Sequence, residues 1–144
     1  MFIVDLIRIL SVLLAIVGTT FLIPAGVAVY CGEFDVISSF LVPMLVSWIL
    51  CAAMMFFFRK RKISLNVRET YFVVACCWIF TSFFGMIPLL ASGAVQNFAD
   101  ALYESVSGFT TTGATVIGDV ESLPRSINLW RCLTHWLGGM GIVV

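Results

Sequence analysis

Residues 97–115 read NFADALYESVSGFTTTGAT, and this stretch decides the fold. As a helix, Phe98 to Phe109 covers about 18 Å at 1.5 Å per residue, against a hydrocarbon core of about 30 Å. It is too short to cross a bilayer, so the sequence predicts an interfacial or re-entrant helix. Asn97 with Asp100 three residues on suggests a capping arrangement, and Asp100 and Glu104 put negative charge in the half that the helix dipole favours. Phe98, Leu102, Val106 and Phe109 recur at helical spacing, with Asp100, Glu104 and Ser107 on the other side. Gly108 is the expected left-handed residue at the helix end.

Beyond it come Thr110, Thr111, Thr112, Gly113, Ala114 and Thr115. Threonine is β-branched and favours extended backbone, and Gly113 permits conformations or approaches that a side chain forbids. Extended backbone at membrane depth leaves carbonyls unpaired, which is tolerable only where protein shields them or where they line a watery path. Such carbonyls are cation ligands. A short helix dipping in from outside aims its negative end at the membrane centre, and the threonine and glycine carbonyls then replace hydration oxygens as the chain climbs back.

The surrounding sequence supports a membrane setting. Of the residues, 61% are hydrophobic and 11% charged, and the mean hydropathy is +1.09, far from the balance of a soluble domain. The chain is read as an all-α integral membrane protein. A formal net charge of zero gives no electrostatic case for nucleic acid. Cys31, Cys51, Cys76, Cys77 and Cys132 show no metal-ligand spacing, so neither a zinc site nor a disulfide framework is expected.

Three apolar runs of spanning length precede the short helix: Leu6 to Tyr30, Val36 to Phe58 and Thr70 to Leu90. The first also admits a signal-peptide reading, with small residues at Gly26 and Ala28, although Asp5 offsets Arg8 in the leading segment. The second stops at Arg59, Lys60, Arg61 and Lys62, followed by Arg68, so five of the eight basic residues share one loop. Basic loops stay cytoplasmic, which predicts a cytoplasmic N-terminus and an outer connector at residues 31–35. The same cluster suits lipid headgroups. Gly85 and Pro88 predict a kink or end near the exit of the third run.

Val116 to Arg125 reads as an outer loop. Residues 127–144, INLWRCLTHWLGGMGIVV, read as a short or partial membrane helix, with Trp130 and Trp136 available as interfacial aromatics and Gly138, Gly139 and Gly141 along a narrow side. Arg131 has two readings, pairing with Glu104, Asp119 or Glu121, or reaching to the interface. Glu104 is expected to anchor the pore helix by hydrogen bonding. A serine hydrolase on Ser107 and His135 is disfavoured, since Ser105 stands where a nucleophile turn wants glycine and no base is placed by spacing.

The runs ALYESVSGFTTTGATV and LPRSINLWRCLTHWLGGMGIVV resemble the first pore repeat of the Trk/Ktr-type potassium uptake proteins. RET at Arg68 to Thr70 and GMIPLL at Gly85 to Leu90 resemble the helix before it. The resemblance divides the chain into an N-terminal helix pair with its basic loop, residues 1–67, and a helix, pore-loop, helix repeat, residues 68–144. It implies a potassium-binding filter strand at Thr111, Thr112, Gly113, Ala114 and Thr115, with Gly113 in the signature glycine's place, Asp100 and Glu104 supporting the pore helix, and no metal besides potassium. His135 stands where many relatives carry glutamine. The implied function is potassium uptake across a bacterial cytoplasmic membrane, without a cofactor and without enzyme activity.

Four unequal repeats surround one pathway in that family, and one is present here. The resemblance therefore implies a fragment, with three further filter strands from the remainder or, less simply, from identical chains. A cytosolic nucleotide-binding regulatory ring is an implied partner, with membrane lipid and potassium. The competing reading is a non-transporting assembly or regulatory piece that uses the glycine-rich helix only for packing.

Overall fold

The computed structural model describes residues 2–58 and 66–143, and among them every regular element is helical. The helices are α1 (Phe2–Thr20), α2 (Leu22–Cys31), α3 (Phe34–Phe57), α4 (Val67–Gly85), α5 (Ile87–Ala91), α6 (Phe98–Phe109) and α7 (Arg125–Val143). Three stretches among the described residues are long and apolar enough to cross a membrane: Ile3–Cys31, Phe34–Phe57 and Val67–Ala91. The protein is a multi-pass, all-α membrane protein. The basic run at residues 59–62 lies outside the described residues.

Two of the three spans are broken. The first changes from α1 to α2 at Phe21, three residues before Pro24, whose ring crowds the preceding turn and whose nitrogen donates nothing. The third breaks at Met86, with Pro88 in the first turn of α5, as the glycine and proline predicted. Pro43 lies inside α3, which continues through it.

The breaks serve one core. Phe21, Phe40, Ile127 and Trp130 are fully buried, with Phe84 and Phe109 beside them. The ring centroids of Phe21 lie 4.5 Å from Trp130, 5.3 Å from Phe84 and 6.0 Å from Phe40, within the favourable range for tilted and edge-on aromatic pairs. The Trp130 indole N–H donates to the Gly85 carbonyl over 2.9 Å at the α4–α5 break. This corrects the expectation of an interfacial Trp130. Its ring is 0% exposed because α7 turns that face into the aromatic cluster, while Trp136, 58% exposed, remains on the outer surface.

A second long-range bond seats α7. Its first amides lack helical acceptors, as at any helix start. The Glu33 carboxylate, from the α2–α3 connector, accepts from the Arg125 amide at 2.8 Å, from the Ser126 amide at 3.1 Å and from the Ser126 hydroxyl. The connector and the start of α7 therefore share one side of the molecule. Partial burial alone would raise the pKa of Glu33, but the Ser126 hydroxyl, both amides and the Arg125 charge together hold it below the ordinary value of 4.5. A carboxylate with a lowered folded pKa stabilises fully above its unfolded value, and that contribution fades as pH falls through the folded one. The thermal unfolding midpoint in detergent is expected to fall on acidification through and below pH 4.5, and Glu33→Gln is expected to flatten that acid limb and lower the midpoint at neutral pH.

Candidate functional site: a re-entrant helix and its returning strand

Helix α6 spans the twelve residues that the sequence predicted, Phe98–Phe109. Asn97 occupies the N-cap with extended backbone, but its side chain makes no cap bond. Its amide donates instead to the Asp100 carboxylate at 2.9 Å. Asp100 thus holds the start of the helix through Asn97, not through orphan backbone amides.

The end of α6 departs from expectation. The Thr112 amide donates to the Ser107 carbonyl and the Thr111 amide to the Gly108 carbonyl, each over 2.9 Å. These are the two bonds of a Schellman close, in which the residue after the C-cap turns left-handed. That residue is Thr111, at φ 58°, and not Gly108. A left-handed β-branched residue stores strain of order 1–3 kcal/mol, and such outliers concentrate at functional sites. Gly108 instead lies within α6, where a Cβ would overlap the Thr134 hydroxyl of α7.

From Thr110 the chain has no regular structure, and it doubles back along α6. The Ser107 hydroxyl donates to the Ala114 carbonyl at 2.6 Å. The Glu104 carboxylate, one turn nearer the start of α6, accepts from the Thr115 hydroxyl and from the Val116 amide, the latter at 2.7 Å. Rising strand numbers thus meet falling helix numbers, which is the geometry of a re-entrant loop. Gly113 sits at φ 76°, where a side chain would be strained. Thr111, Thr112, Gly113, Ala114 and Thr115 are all exposed along this strand.

Helix α7 runs the same way as α6 and braces it. Arg131 donates from Nε to Glu104 at 3.1 Å, from one terminal nitrogen to the Thr115 hydroxyl at 3.2 Å and from the other to Asn128 at 3.3 Å. Of its two sequence readings, pairing with Glu104 is the one realised. The Glu104 side chain is 3% exposed and that of Arg131 14%. A buried carboxylate is costly unless paired and hydrogen-bonded, and here Glu104 is both. Further along, Gly138 packs on the backbone at Phe109 so closely that a Cβ would overlap its carbonyl. Ser107, weighed in the sequence as a nucleophile, is a tether for the strand. The narrow glycine side of α7 anticipated the Gly138 contact, whereas the Ser107 tether had no signal in local spacing.

A short helix that follows three membrane-length helices, with an exposed segment doubling back beside it, gives a multi-pass membrane protein with a re-entrant loop. Residues 37–144 match the TrkH family, described as cation transport proteins, and the chain belongs to that family. It is 39% identical over 142 residues to an uncharacterized cation transporter of Methanocaldococcus jannaschii, a match covering 96% of this chain and 29% of that protein. It is 36% identical over 145 residues to the Trk system potassium uptake protein TrkH of Vibrio parahaemolyticus, covering 97% of this chain and 29% of the relative. The Trk system potassium uptake protein TrkG of Escherichia coli is 41% identical over 87 residues, or 60% of this chain and 18% of its own length. The chain thus spans less than a third of the relatives that it matches.

Glu104→Ala leaves the Arg131 charge and the Val116 amide without their acceptor. Breaking a buried pair from one side is expected to cost about 3–5 kcal/mol, read as a fall in the thermal unfolding midpoint in detergent. Asp100→Ala, which removes only an exposed side-chain bond, is expected to shift it far less.

Proposed function

We propose that this chain supplies one filter strand to a potassium uptake protein of the cytoplasmic membrane, with residues 1–67 as a supporting helix pair and residues 68–144 as one of four pore repeats. The observation that carries the reading is the exposed strand, Thr111 to Thr115, pinned along its length to α6. Pinning from one side leaves the other side open to a pathway. The Ala114 carbonyl is engaged by Ser107, so the oxygens best placed to receive potassium belong to Thr111, Thr112 and Gly113. Carbonyl dipoles can replace hydration oxygens around an ion. The remaining pore repeats, or identical chains, complete the ring.

Arg131 gives the site its rigidity without placing free positive charge beside the ion, because Glu104 neutralises it. The negative end of α6 faces the turn into the strand, the favourable sign for a cation. A negative interior then assists inward movement, at about 2.3 kcal/mol per charge for each 100 mV. With the basic run at residues 59–62 on the cytoplasmic side, the N-terminus lies inside and Glu33 outside. A cytosolic nucleotide-binding ring is the regulatory partner that fits this placement.

Gly113→Val in the complete protein is expected to abolish potassium uptake, measured as growth of a potassium-uptake-deficient bacterium at low potassium and as rubidium influx. The φ of 76° excludes a β-branched residue without strain. Uptake that survives at matched membrane abundance would count decisively against the filter reading.

A further inference from the structure

The imidazole of His135 is half-buried between α7, the end of α6 and the strand. Two glycines leave it room. A Cβ on Gly108 would lie 3.9 Å from its Nδ1, and a Cβ on Gly113 would lie 3.9 Å from its Nε2. The two ring nitrogens therefore face different things. Nδ1 is 2.8 Å from the Arg131 carbonyl. A carbonyl only accepts, so Nδ1 carries the proton, and in the neutral ring Nε2 is then a bare acceptor. Nε2 lies on the side of the ring nearest Gly113 of the strand.

The surrounding charge leaves this orientation undisturbed. On its own helix the neighbouring ionisable groups are the Cys132 thiol and Arg131, whose guanidinium is committed to Glu104, Thr115 and Asn128. On α6 the neighbouring group is Glu104, already paired with that arginine. The strand from Thr110 to Val116 carries no ionisable side chain. Among these side chains, His135 is the one whose ring nitrogen lies beside Gly113.

We propose that His135 is a specificity-determining, positioning residue of the filter: fixed as the Nδ1–H tautomer by the Arg131 carbonyl, it presents the Nε2 lone pair to the strand at Gly113 and tunes how that level discriminates potassium from sodium. This rests on the filter reading above. The residue acts through the strand, by adding electronegative field behind Gly113 and by limiting how far the strand relaxes toward α7. Relaxation matters because a filter whose oxygens shift inward or outward changes its relative preference for a smaller ion.

Glutamine can reproduce both halves of the arrangement, its amide N–H₂ donating to the Arg131 carbonyl and its oxygen facing the strand. Leucine and methionine fill the space and supply neither. The test is potassium influx with sodium as competitor, in the complete protein and in His135→Gln, His135→Leu and His135→Met, at matched membrane abundance. His135→Gln is expected to keep the potassium-to-sodium ratio, and the two apolar variants to lower it by about tenfold, which is about 1.4 kcal/mol of discrimination. If only one apolar variant reaches the membrane, that variant decides. An unchanged ratio in the apolar variants, or a loss in His135→Gln as large as theirs, overturns the proposal. Absence of potassium influx in the unsubstituted protein would instead sink the filter reading, so the two failures are distinguishable.

Discussion

Backbone outside regular hydrogen-bonded structure cannot sit at membrane depth unless something bonds its polar groups, because no water is there to do so. That constraint organises this molecule around Glu104. One carboxylate binds the returning strand through Thr115 and Val116 and binds α7 through Arg131. Three successive segments of the chain are thereby held by a single buried charge. Desolvating that charge is unfavourable by several kcal/mol, and the arginine and two hydrogen bonds offset it only in this one arrangement. The pair therefore contributes more to specifying the strand's path than to net stability.

Space is the second determinant. Where α6 meets α7, Gly108 sits against Thr134, and Gly138 sits against the Phe109 backbone. Either side chain would push the two helices apart and carry the strand with them. Gly85 performs the same service on α4, where a Cβ would overlap the Phe109 ring and approach the Ser105 hydroxyl to 2.8 Å. The Ser105 hydroxyl itself donates to the Ser82 carbonyl at 2.6 Å. In a bilayer, where lipid tails are as apolar as leucine, such close packing and interhelical bonding replace the hydrophobic drive between helices. The glycine-rich side of α7 is thus a seat for α6 as much as a feature of its own span.

Strain is the cost of the turn. Thr111 takes a left-handed conformation that glycine usually fills, yet it is the residue that redirects the chain from helix to strand. Its neighbours over-determine it: amide bonds to Ser107 and Gly108 close the helix, and the Thr110 and Thr112 hydroxyls pair at 2.9 Å. The Thr111 methyl lies toward α7, 3.9 Å from where a Cβ on Gly139 would stand.

Hydropathy and helix length are local properties, which is why Phe98–Phe109 and the three spanning stretches were legible from the residues alone. The kink at Gly85 and Pro88 was legible for the same reason. Which side chain meets which across 27 or 93 residues was not, because spacing carries no record of it. The Glu104–Arg131 pair could be named as one of several options, and the Glu33 cap on α7 had no local signal at all. Trp130 looked interfacial because aromatic residues at a helix end often are, and only the packing of Phe21, Phe84 and Phe109 around it made burial favourable. Composition and periodicity by themselves determined a helical membrane protein with a short re-entrant segment. Tertiary structure decided that Glu104, Ser107 and α7 pin the returning strand, because buried polar groups are satisfied only by partners that folding brings to them.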